Sequence, residues 1–186
     1  MRIVASGFVI LALSVLPAVR ADEFAIDPTH AGFTFKIQHL GLSWTYGRFN
    51  AFDGAFRIDP NPANTAFAIN IQADSIDTGN KQRDDHLRSP DWFNSKQFPL
   101  ITFKSTSVKP IDGGLEVTGD LTLHGVTKAV VLKLEGGGAA EFPPGVHRTG
   151  YTTNVIIKRS EFGMATMVGP VSDEVYLSIS FEGIRK

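Results

Sequence analysis

The sequence predicts an all-β fold of antiparallel strands, closed into a barrel or stacked as a sandwich, with one charged helical insertion. Three observations carry this. Apolar and polar residues alternate with period two along most of the chain, so each strand has one buried face and one wet face. Turn-forming residues separate the alternating runs. The alternation then stops in one polar stretch, Ser75–Phe103, where Lys81, Arg83, Asp84, Asp85, His86 and Arg88 crowd into eight positions.

Taken in order, the chain opens with a secretory signal. Arg2 is a positive n-region and Ile3–Leu16 an apolar h-region. Val19 and Ala21 are the small residues at −3 and −1, so cleavage is expected between Ala21 and Asp22. The domain boundaries are therefore 1–21 for the signal and 22–186 for a single β domain. The h-region is shorter than the ~20 apolar residues of a spanning helix, and no other segment is expected to cross a membrane.

Strand runs follow. Phe33, Phe35 and Ile37 alternate with Thr34, Lys36 and Gln38; Phe52, Phe56 and Ile58 alternate with Asp53, Arg57 and Asp59. Phe67, Ile69 and Ile71 come next. After the polar stretch, Ile101 and Phe103 begin a further run, and Val117, Leu121 and Leu123 another. His124-Gly125 turns the chain into Val130, Leu132 and Leu134. Tyr151, Thr153, Val155 and Ile157 follow, and Val175, Leu177, Ile179 and Phe181 close the series. Hairpins are expected at Asp59-Pro60-Asn61-Pro62, Asp112-Gly113-Gly114 and Gly136-Gly137-Gly138.

Within the polar stretch, Asn80 is placed to cap a short helix over Lys81–Arg88. Ser89-Pro90-Asp91 is placed to start a second. The charges have two readings. In one, Asp84 or Asp85 pairs with Arg83, Arg88 or Arg159 and locks the insertion over an end of the scaffold. In the other, Lys81, Arg83 or Arg88 meets a ligand head group such as a phosphate. The balancing acids favour the lock. Asp84 with His86 is the one pairing that could be argued as acid and base.

Composition excludes several classes. Without the signal the chain has 16 Lys and Arg against 19 Asp and Glu, a formal charge of −3, so no basic face for nucleic acid is expected. There is no cysteine, which removes disulfides, thiol catalysis and thiolate metal sites. The five histidines (His30, His39, His86, His124 and His147) lack metal-ligand spacing, although His30 and His39 could converge in space. No metal or other cofactor is expected. The fourteen Phe and two Trp could fill a core or line a hollow one, and periodicity leaves that open.

Four blocks carry a resemblance: DPTHAGFTFKIQHLGLSWTYGRFNAFDGAF, IDTGNKQRDDHLRSPDWFNSKQFPLITFKS, VTGDLTLHGVTK and IKRSEFGM. In this order they resemble the recurrent blocks of the YceI-like family, over about Asp27 to Phe181. The resemblance implies a periplasmic or exported bacterial protein with a lipocalin-like, eight-stranded antiparallel barrel capped at one end by the helical insertion. It also implies binding of a polyisoprenoid or other long-chain lipid. The inward phase then becomes the ligand lining: Phe33, Phe35, Ile37, Trp44, Phe52, Phe56, Phe67, Ile69, Phe103, Leu121, Leu123, Leu132, Val155, Ile157, Phe162, Met164, Leu177 and Ile179. Arg83, Asp84, Asp85, His86 and Arg159 form the rim and cap, with Lys158–Met164 closing the barrel at a rim.

The expected function is therefore non-enzymatic: binding, and carriage or storage, of an apolar small molecule in the periplasm. A homodimer is left open. A periplasmic hydrolase or isomerase using Asp84 and His86 is the alternative from another class. A filled sandwich acting in protein–protein contact or stress protection is the third.

Overall fold

The structure is a computed structural model and describes residues 20–186. The expected signal at Met1–Ala21 lies outside the described residues except for its last two.

Ten strand segments make eight barrel staves. β1 (Asp22–His39) is long enough to pair along one edge with β10 (Val171–Arg185). Its other edge pairs with β2 (Ser43–Phe49) near one end and β3 (Phe52–Ile58) near the other. β2 and β3 thus form one interrupted stave. β4 (Ala66–Gln72), which pairs with β3, and the short β5 (Ile76–Asp77), which pairs with β2, form the next. β6 (Leu100–Ile111), β7 (Gly114–Leu123), β8 (Val126–Glu141) and β9 (His147–Lys158) continue antiparallel to β10, and the β10–β1 pairing closes the barrel. The sandwich alternative is thereby excluded. The β8–β9 ladder covers only Glu135–Glu141 against His147–Thr152, so Val126–Leu134 and Thr153–Lys158 are paired on their other edges alone.

Local sequence explains the turns. His124 and Gly125 both have positive φ, 52° and 75°, the geometry of a two-residue hairpin matched to strand twist. The triple glycine does not turn the chain as expected. β8 runs through Gly136–Gly138 with a register shift between Gly136 and Ala139, and the turn comes after Glu141. A Cβ at Gly137 would press on the Tyr151 ring, so these glycines make a bulge around an aromatic side chain.

One end of the barrel is filled. Phe24, Phe56, Phe67, Tyr151 and Phe181 stack there with ring centroids 5.0–6.5 Å apart. Each such pair adds roughly 0.5–1.5 kcal/mol beyond the area it buries. The Phe56 ring lies over Gly183, where there is no room for a Cβ. Just outside this floor, Asp27 accepts from the Arg148 guanidinium at 2.7 Å and His30 sits 2.8 Å away. Arg148 foremost, then His30 and Thr29, hold the Asp27 carboxyl well below the usual carboxylate range. His39 is at the far end of β1, beside the turn into β2. The two histidines are therefore kept apart by the length of the barrel.

Candidate functional site: the barrel lumen and its cap

Above the aromatic floor the barrel is hollow. A cavity of about 440 Å³ runs up from Phe67 and Phe181 to the insertion, within the usual range for a small-molecule site. Burial along the strands traces the change. Inward residues near the floor, such as Phe33, Phe67 and Phe181, are buried. Their counterparts higher up the same phase (Phe35, Ile37, Leu121, Val155, Ile157, Leu177 and Ile179) are only half-buried. A half-exposed apolar side chain on the inward phase faces empty space rather than a packed neighbour.

Of the expected lining, Phe33, Phe35, Ile37, Phe67, Ile69, Phe103, Leu121, Leu123, Leu132, Val155, Ile157, Met164, Leu177 and Ile179 all border the cavity. Four do not. Trp44 stands opposite Gln38 on the outside of the barrel, with its ring edge-on to Tyr176 at 5.2 Å and the Lys36 ammonium above it at 4.7 Å. Phe56 belongs to the floor. Phe52 packs on Phe33, ring centroids 4.6 Å apart. Phe162 is buried with Ala73, Ile101, Leu123 and Met164 in a second cluster beside the mouth. The wall also includes Phe49, Ile71, Val130 and Val175, which periodicity would have found, and Trp92 and Phe93, which it would not. Those two come from the insertion and are its large apolar groups near the mouth.

The insertion closes the upper end. Helix α1 (Lys81–Leu87) starts at Asn80, whose side chain accepts from the Arg83 N–H as expected of an N-cap. The second expected helix does not form; Ser89–Trp92 is a turn, with the Trp92 N–H donating to the Ser89 carbonyl. Thr78, Arg83, His86, Leu87, Trp92 and Phe93 face the cavity. The lock is local. Asp84 accepts from both the backbone and hydroxyl of Thr78, and Arg83 donates to the Thr78 hydroxyl and carbonyl. Arg88 ties the helix to the barrel through the carbonyls of Asp74 and Ile76, at 2.6 and 2.7 Å, and also reaches Asp85. Asp85 is held below the usual carboxylate range by Lys81 first and Arg88 second.

Arg159 is not the partner of Asp84 or Asp85. It is 2% exposed and donates to four backbone carbonyls, those of Met164, Thr166, Val171 and Ser172, at 2.6–3.0 Å. Trp92 lies 5.1 Å from its guanidinium carbon. Burial draws the guanidinium pKa down, against the pull of Asp173. Lys158–Met164 lies beside the cavity, which Arg159 and Met164 border. A short 3-10 turn, Arg159–Phe162, ends at Gly163 with φ of 77°, and Arg159 knots that turn to the start of β10. The acid–base pair also fails to assemble. Asp84 is engaged by Thr78, while the carboxylate near His86 is that of Asp91 at 3.7 Å.

These features (a closed eight-stave barrel, an apolar lumen and a charged cap built from one insertion) can be set beside known proteins. The sequence profile of the YceI-like domain matches residues 24–183. The chain belongs to the YceI-like family. It is 45% identical over 182 residues to Protein YceI of Escherichia coli O157:H7, covering 96% of this chain and 95% of that protein. A UPF0312 protein of Pseudomonas aeruginosa is 43% identical over 169 residues, covering 89% and 88%. Among solved YceI-like structures, the YCEI protein of Campylobacter jejuni superposes with a TM-score of 0.72 at 35% identity, covering 81% of this chain and 91% of that one. Burkholderia cenocepacia BcnA gives a TM-score of 0.75 at 26% identity, covering 84% and 98%. A polyisoprenoid binding domain from Saccharophagus degradans shares the fold alone, with a TM-score of 0.69, 16% identity and 88% and 98% coverage.

Proposed function

We propose that this protein binds a long apolar molecule, a polyisoprenoid or other long-chain lipid, in the barrel lumen, and carries or stores it in the periplasm after export on Met1–Ala21. The observation that carries this is the half-exposure of Phe35, Leu121, Val155 and Leu177 on the inward phase of closed strands. Membership of the YceI-like family supports a binding role rather than a catalytic one, as does the shared fold of a polyisoprenoid binding domain. The energetics suit it. About ten methylenes moved from water into such a wall are worth ~8 kcal/mol, before the cost of ordering the chain and losing its free motion. The wall offers apolar contact along most of its length, so specificity for the tail is loose.

Polar groups collect near the mouth, where Thr78, Arg83 and His86 border the cavity. A head group would sit there, with the tail pointing to the aromatic floor. The test is mass spectrometry of an organic extract of the mature protein purified from the cell envelope. A co-purifying lipid is expected. Its absence, together with failure to take up a fluorescent prenyl probe, would overturn the reading. N-terminal sequencing of the same preparation should begin at Asp22; an intact Met1 would refute export by cleavage.

A further inference from the structure

We propose that the mouth of the barrel docks on a lipid bilayer through an uncharged tip formed by two neighbouring loops, so that an apolar ligand passes between membrane and lumen without crossing water. This rests on the lipid-binding reading above and adds the surface at which loading takes place. Two segments flank the mouth, Leu40–Gly47 and Gly163–Val171. Neither contains a charged residue, in a chain where one residue in five is charged. They are joined, the Leu40 N–H donating to the Pro170 carbonyl at 2.7 Å. Together they expose Leu40, Leu42, Met167 and Val168, with Leu42 83% exposed. Met167 also borders the cavity, so this surface is continuous with the entrance.

What stands behind the tip identifies the partner as a bilayer rather than a protein groove. Trp44 lies two residues along β2 from Leu42, about 7 Å at the strand rise. Two residues further, about 13 Å from the tip, Tyr46 pairs with Lys36, and Lys36 with Tyr176 across β1 and β10. The Lys36 ammonium sits over both the Trp44 and Tyr176 rings, at 4.7 and 5.5 Å. Leucine, then tryptophan, then tyrosine with lysine is the order of a bilayer surface: acyl boundary, interface, phosphate. Interfacial elements sink ~5–10 Å into that boundary. Such a depth immerses the leucines, sets Trp44 at the headgroups and leaves Lys36 level with anionic phosphates. The cap helix, with Lys81, Arg83, Asp85 and Arg88, forms the polar side of the same mouth. The apolar chain of a ligand lying in the membrane would then enter on the loop side.

The experiment is flotation of the mature protein with mixed phosphatidylethanolamine and phosphatidylglycerol vesicles, alongside fluorescence of Trp44, the exposed one of the two tryptophans. Co-flotation and a blue shift are expected, and Trp44→Phe should remove the shift alone. The variant Leu40→Asn with Leu42→Asp keeps the left-handed turn at Leu40, which Asn tolerates. It should weaken vesicle binding by about tenfold or more and slow probe transfer from vesicles to the same extent. Uptake of probe delivered from solvent should match the unmodified protein. Failure of the unmodified protein to float, equal flotation of the variant, or a variant-sensitive dimer in place of vesicle binding would each overturn the proposal. Loss of solvent-delivered uptake in the unmodified protein would instead sink the lipid-binding reading, and flotation would still decide the docking.

Discussion

Arg159 shows how much one side chain can organise. Its guanidinium is buried and joins the end of β9 to the start of β10 through four carbonyls. Truncating it leaves those acceptors without a donor, at ~1–3 kcal/mol for each group that water cannot reach. Arg159→Ala should therefore cost about 3 kcal/mol or more in urea unfolding. Asp84→Ala should add to it independently, because the two residues share no partner; strong coupling in the double variant would show a link that the geometry lacks. Asp27 supplies a second prediction. Its carboxyl titrates lower in the folded protein than in the unfolded chain because Arg148, His30 and Thr29 hold the charged form. A depressed folded pKa gives stability that is fully present above the unfolded value near ~4 and is lost progressively as pH falls from there through the lower folded value. Urea unfolding at pH 7 and pH 3 should show a loss for the unmodified protein and a smaller one for Asp27→Asn.

At the scale of elements, β4 and the cap make contrasting demands. Ile69 is buried on the lumen side, while Asn70 donates to Asp53 on the outer face at 2.8 Å. Ile69→Asp buries an unpaired carboxylate and should prevent folding. Asn70→Asp replaces a hydrogen bond with facing like charges at an exposed site, a cost of roughly 0.2–1 kcal/mol. Circular dichroism of the two variants tests the register, and the reverse order would invert inside and outside. The cap is tied to the barrel by Arg88 through the Asp74 and Ile76 carbonyls. Arg88→Ala should keep the barrel but speed release of a prenyl probe several-fold. Lys81→Ala should leave the off-rate unchanged, since the Lys81–Asp85 pair lies in water and is worth roughly 0.3–0.5 kcal/mol.

The whole molecule divides into a packed floor that provides rigidity and a hollow upper half that holds ligand. Leu177 belongs to the hollow half and Phe181, two steps along the inward phase, to the floor. Leu177→Trp should place an indole in empty space, leaving the melting temperature unchanged or higher while weakening probe binding by tenfold or more. The same enlargement in a packed core would destabilise by about 1–3 kcal/mol. A marked drop in melting temperature would mean that the lumen is filled.

The sequence alone determined whatever depends on neighbours along the chain. Period two assigned Phe33, Ile69, Leu132 and Ile179 to the inner face, Asn80 marked the helix start, and His124-Gly125 marked a hairpin. Where the local pattern was mixed, only pairing could decide. In Ser43–Phe49, apolar groups fall on both phases, and the register that sets Trp44 opposite Gln38 turned it outward. Arg159 lies seventy-four residues or more from the acids first matched to it, and its true partners are backbone carbonyls, which leave no mark in a sequence. Hollowness was the least legible property. It follows from how many staves close the barrel and how they stagger, so identical Phe, Leu and Val side chains pack solidly at one end and border open space at the other.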